Sequence, residues 1–259
     1  MTVKTQGIAL YTLTRREVVR MFRIPSQIFL PSMITTLLYF LVFGEIIGTR
    51  IGVIDGHTYN TFIAPGLIML AVITNSYANV SNSLFSVRFQ KSIEEMLVSP
   101  MHWSLLLLGY TLGGVIRGLL VGASVIAIAS FFADISLIHL PMTLVVILLV
   151  ATLFSLAGFM NGMLARTFDE VSFVPTFILS PLIYLGGIFY TTSMLPSFWQ
   201  KITVVNPIFY MISALRYAMM GENSVNISLT TSLSIVISVL LILTLINCIL
   251  IKKGIGLRG

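Results

Sequence analysis

Residues 105–132 read LLLLGYTLGGVIRGLLVGASVIAIASFF, a run in which Arg117 is the one charged residue. About 20 mostly apolar residues suffice for a helix to cross the hydrocarbon core of a bilayer. The whole chain follows this pattern. Apolar residues make up 57% of it and charged residues 9%, against about 25% charged in an ordinary soluble domain. So few charges cannot cover the surface of a 259-residue water-soluble protein, which makes lipid the solvent for most of the chain. Six segments qualify as spans, at roughly 26–47, 61–86, 105–132, 142–164, 171–190 and 229–251. The fifth is interrupted by Pro175, Pro181 and the pair Gly186-Gly187. Membrane helices tolerate such breaks where neighbours satisfy the freed backbone groups.

The expected fold is an all-α polytopic membrane protein in one domain, residues 1–259. A cytoplasmic interfacial helix occupies 1–25, spans one to five 26–190, a re-entrant helical hairpin in the outer leaflet 191–228, and span six with a cytoplasmic tail 229–259. In the hairpin, Pro196 and Asn206-Pro207 punctuate two short apolar pieces. Phe198, Trp199, Phe209, Tyr210 and Tyr217 are aromatics of the kind that sit at headgroup level. The N-terminal segment Ile8 to Ile24 carries Arg15, Arg16 and Arg20 near one face, with Leu10, Leu13, Val18, Met21 and Phe22 as apolar anchors. It has no apolar core followed by a small-residue cleavage site, so it does not read as a signal peptide.

Orientation follows from the basic residues. With both termini inside, eleven Lys and Arg fall in inner segments and three, Arg50, Lys201 and Arg216, in outer loops. That bias puts both ends in the cytoplasm. The net charge of +6 is thereby a topology signal and not a nucleic-acid footprint. The single cysteine, Cys248, lies in an apolar run and allows no disulfide within the chain.

Enzyme signatures are missing. His57, His102 and His139 fall in three different loops on opposite sides, and no His-Glu-x-x-His or paired-cysteine spacing marks a metal site. Glu94-Glu95 and Asp169-Glu170 are adjacent pairs, which point apart on a helix and serve poorly as an acid/base couple. No Gly-x-x-x-x-Gly-Lys-Ser/Thr loop holds nucleotide phosphates. The loop after span two, RFQKSIEEMLVSP at 88–100, places Ile93, Met96 and Leu97 on one stripe and leaves Lys91, Glu94 and Glu95 to water. Pro100 ends the helix. On pattern alone this is a solvated loop helix or a docking element.

The "IEEMLVSP" ending of that loop resembles the coupling region of ABC-2 type permeases of ABC exporters. The run FVPTFILSPLIYLGGIFYTTSMLPSFWQKITVVNPIFYMISALRY, residues 173–217, is similar to the signature stretch of the same family. The resemblance extends over essentially the whole chain. It implies a permease subunit that pairs with a second copy of itself and with two copies of a separate ATPase. ATP and Mg would bind that partner, and this chain would hold no cofactor. Cytoplasmic contacts would come from Arg88, Lys91, Glu94, Glu95 and Pro100 together with Arg15 and Arg16 of the interfacial helix. The solute would be amphipathic or lipid-linked and carried outward. The alternative is a secondary transporter or channel driven by an ion gradient, against which stands the lack of a carboxylate placed to relay protons.

Polar residues within the spans are further candidates. Asn75, Asn79, Asn82 and Ser86 hold one face of span two and are expected to line a path or to bond between helices. Arg117 is flanked by Gly113, Gly114, Gly118 and Gly122, which admit a neighbouring helix closely. It is either a structural arginine bonded to backbone carbonyls, such as those of the broken fifth span, or an anion contact along the path. Asp169-Glu170 is expected to form a local bridge with Arg166 or to touch the ATPase.

Overall fold

The computed structural model describes residues 3–54, 56–99, 101–135, 138–221 and 227–256. Helix α1 covers Val3–Arg23, and α2 runs from Ser26–Tyr39 through a π-helical stretch, Phe40–Ile47, into Gly48–Ile51. A short antiparallel hairpin, β1 (Val53–Ile54) with β2 (His57–Thr58), leads into α3 (Tyr59–Phe89). Then follow α4 (Ile93–Val98), α5 (Trp103–Phe132) and α6 (Leu140–Leu164). A composite helix α7 joins Phe168–Phe173, a π-helical Val174–Leu179 and Ser180–Tyr184. The chain closes with α8 (Ser197–Val205), α9 (Pro207–Met220) and α10 (Leu229–Lys253). Pro100, expected to stop the coupling-loop helix, lies outside the described residues.

Five helices, α2, α3, α5, α6 and α10, are long and apolar enough to cross a membrane. The pair α8–α9, bent by 83° at Asn206, makes a sixth if its two legs form one span. The predicted fifth span is shorter than expected. It ends at Tyr184, and its 17 residues reach about 25 Å at 1.5 Å per residue, short of the roughly 30 Å core. The proline at 181 brings no N–H to the helix ladder, and Gly187 at φ +81° turns the backbone out of helical geometry.

Neighbours take up the backbone that this break frees. Asn206 accepts from the amide of Ile208 at 3.0 Å and donates its amide to the Leu182 carbonyl. Arg216 donates to the Gly187 carbonyl at 3.0 Å, and Tyr59 to that of Phe189 at 3.0 Å. Arg216 is therefore buried on α9, over the Phe62 ring, and is not an outer-loop charge. The reason is energetic, because an unpaired carbonyl in lipid costs several kcal/mol and a guanidinium carries five donors. Phe209 and Tyr210, expected at headgroup level, are also buried, while Phe198 and Trp199 are exposed on α8.

Helix α3 is the central post, most of it buried, with α5 and α6 as its main partners. Small residues set these approaches. Gly158 of α6 lies against the backbone of Tyr77, and Gly162 against that of Ser81. On α5, Gly114 and Gly118 face Val80 and Ser76 of α3 together with Ser155 and Ala151 of α6, while Gly122 faces Val72. At one end of the bundle Leu13, Ile93, Tyr110 and Ile251 share an apolar cluster, which brings α1, α4 and the tail of α10 to the same side.

Candidate functional site

The site grows from α1. Leu13 seats on Gly109 and Glu17 on Gly113, so equal four-residue steps carry α1 and α5 side by side in the same direction. Glu17 is 1% exposed. Its carboxylate accepts from Arg16 at 3.1 Å, from Arg20 at 2.8 Å and from the Ser83 hydroxyl at 2.9 Å. Arg16 also donates to Tyr110 of α5 at 2.7 Å, and Arg20 to the side-chain oxygen of Asn79 at 2.9 Å. A buried carboxylate in this setting needs such donors to offset its desolvation. The result is one network across α1, α3 and α5. Burial opposes the charge on Arg16, but Tyr110 and Glu17 outweigh it and hold that guanidinium above its ordinary pKa.

The predicted polar face of α3 divides. Asn79 joins α1, and Asn75 bridges Arg117 of α5 and Ser32 of α2, accepting from the guanidinium at 3.2 and 3.3 Å and donating at 2.9 Å. Asn82 is exposed, and Ser83 takes its place on the inward face. Ser86 lines a cleft of about 970 Å³ between α1 and α4. Arg15, Arg16, Arg20, Arg23 and Glu95 share that wall. The two segments expected to meet a partner thus open on one cavity.

The other coupling candidates differ in posture. Lys91, Glu94 and Glu95 are exposed, while Ile93 is buried beneath them. Lys91 holds φ +58°, the left-handed turn that lets α4 leave α3 at once. Arg88 points inward, donating to the carbonyls of Gly162 and Ala165 at 2.8 and 2.9 Å, where it caps the end of α6. Arg117 bonds a side-chain amide and not the broken span, whose carbonyl at Gly187 belongs to Arg216. Glu170 accepts from the Arg166 amide at 2.7 Å, so the local tie forms through backbone, and Thr167 caps the helix.

Glu17, Ser83 and Gly109 are the residues sequence reasoning passed over, and Arg216 is the one it placed in an outer loop. A signal existed for Glu17, an acid among Arg15, Arg16, Arg20 and Arg23 on a helix otherwise free of carboxylates. Among the described residues, no three His, Cys, Asp or Glu side chains come together as metal ligands.

A bundle of apolar helices with a broken span on one side, and two amphipathic helices flanking a basic cleft on the other, defines an all-α polytopic membrane protein. The ABC-2 type transporter family matches residues 8–220, and the chain belongs to it. It is 47% identical over 252 residues to the inner membrane transport permease YadH of Escherichia coli (strain K12), covering 97% of this chain and 98% of that one. It is 22% identical over 229 residues to nodulation protein J of Rhizobium leguminosarum bv. viciae, covering 88% of each. Nodulation protein J of Rhizobium meliloti (strain 1021) is 23% identical over 216 residues, covering 83% of this chain and 82% of that one. The chain is an ABC transporter permease, and of these relatives YadH is named a transport permease.

Proposed function

We propose that this permease forms a homodimer in a bacterial inner membrane, with both termini cytoplasmic, and that two copies of a separate ABC ATPase drive it. It would export an amphipathic or lipid-linked solute. ATP and Mg would be held by the ATPase, since this chain carries no phosphate-binding loop. The observation that carries the reading is the shared cleft between α1 and α4, at the end of the bundle where the tail of α10 also lies. Two exposed docking elements there have mechanical links inward. Movement of α4 acts on α3 through the tight turn at Lys91, while movement of α1 acts on α5 through the Leu13–Gly109 and Glu17–Gly113 seats.

Electrostatics supply the test. Glu94 and Glu95 are solvent-facing carboxylates beside an apolar anchor, so reversing either charge alters the docking surface and leaves the fold intact. Glu94→Lys or Glu95→Lys is expected to lower permease-stimulated ATP turnover by about ten-fold, the size of one close charge pair reversed. Membrane insertion and thermal stability should stay unchanged. Stimulation equal to that of the parent protein in both variants removes α4 from the coupling surface.

A further inference from the structure

Helix α4 has only six residues, too few for a helix to persist on its own in water. Its posture depends on its two ends, the turn at Lys91 and residues 99–102, which join it to α5. The first amides of α5 have no partner within the helix, so its first turn would fray if left alone. Two contacts oppose that. His102 caps the helix, its Nδ1 accepting from the Ser104 amide at 3.3 Å. Its ring also lies beside that of Trp103, the first residue of α5, with centroids 5.1 Å apart.

The second contact comes from the far end of the chain. Lys252, in the last turn of α10, places its Nζ 5.2 Å from the centre of the Trp103 ring. Glycines fix the backbone beyond it. Gly254 at φ +67° ends α10, and the Ile255 amide donates to the Leu250 carbonyl at 3.1 Å. Gly256 at φ +74° then lies against the carbonyl of Met163 in the last turn of α6. Met96 of α4, Met101 and Trp103 pack on the apolar cluster that contains Ile251 and Met163. The end of α10 thus meets α6 and the junction of α4 with α5 in one place.

We infer that Lys252 and Gly256 are positioning residues for coupling. By holding Trp103, the tail of α10 anchors the far end of the link between α4 and α5. A push on α4 then moves α5 as a unit instead of unwinding its first turn. The inference rests on α4 being the docking element proposed above, to which it adds an anchor from the opposite end of the chain.

Backbone hydrogen exchange of the full-length permease in detergent tests the clamp without any ATPase, so its failure and that of the export reading are distinguishable. Lys252→Gln is expected to speed exchange across residues 96–106 about three-fold, the scale of one exposed cation–ring contact, and to leave α3 unchanged. Gly256→Ala should act on the same amides, because a β-carbon there meets a backbone carbonyl at a φ that alanine avoids and the tail must lift. Lys252→Arg keeps a cation over the ring and should exchange like the parent. With a co-expressed ATPase, Lys252→Gln should lower maximal stimulated ATP turnover by a similar factor while ATPase binding is unchanged, and Lys252→Arg should restore it. Unchanged exchange in both Lys252→Gln and Gly256→Ala overturns the clamp. Faster exchange with turnover equal to the parent's overturns its positioning role.

Discussion

Gly158→Val is expected to abolish the folded permease, read as loss of the monodisperse peak in detergent size-exclusion chromatography. The glycine lies where α6 meets α3, the most extensive helix pair of the bundle. A β-carbon there meets the carbonyl group and α-carbon of Tyr77, which are backbone atoms and cannot rotate away. Side-chain neighbours yield at a cost of about 1–3 kcal/mol, whereas a backbone neighbour forces the helices apart and the cost exceeds that range. The effect should spread, because Gly162 makes the same kind of approach to Ser81 one turn further on. Gly7→Ala is the matched control. Nothing lies near that glycine, so the change should be neutral or stabilise α1 by up to about 1 kcal/mol.

The second large effect separates the two sides of the Glu17 network. Arg16→Ala with Arg20→Ala leaves a buried carboxylate with the Ser83 hydroxyl as its remaining donor. Breaking a buried ion pair this way costs about 3–5 kcal/mol. Glu17→Gln removes the buried charge instead and keeps a group of the same shape. The arginine side chains are 39% and 42% exposed, so water takes over much of their solvation and the loss should be nearer 1–2 kcal/mol. Thermal unfolding of the three proteins in one detergent should therefore rank parent, Glu17→Gln and the double arginine variant in falling order. Equal melting of the last two would show that Glu17 is not held by these arginines.

Much of this architecture could be read before any coordinates. Five of the six apolar runs appear as long helices with boundaries moved by a few residues, because lipid forces long uninterrupted hydrogen-bonded segments, while the fifth breaks off at Tyr184. The glycines near Arg117 do admit neighbours closely, and Lys91, Glu94 and Glu95 are exposed as their pattern implied. What escaped depends on contacts between distant segments. Arg216 looks like a loop charge until the break at Gly187 leaves a carbonyl for it to hold. Arg88 looks like a surface cation until the end of α6 arrives beside it. Asn82 and Ser83 differ by one helical step of about 100°, and periodicity alone does not say which of them turns toward α1. Glu17 was legible as the odd acid in a basic helix, but its partners Ser83, Arg16 and Arg20 are fixed only by the packing of α1 on α5.

The central claim is that this permease works through a separate motor that grips α1 and α4. The direct measurement is co-purification in detergent with a co-expressed ABC ATPase from the same organism, followed by ATP turnover of whatever complex forms. The account predicts a stable assembly of two permeases and two ATPases whose turnover rises on assembly and falls in Glu94→Lys or Glu95→Lys. A permease that binds no ATPase and instead gives ion-gradient-dependent flux in vesicles would contradict it.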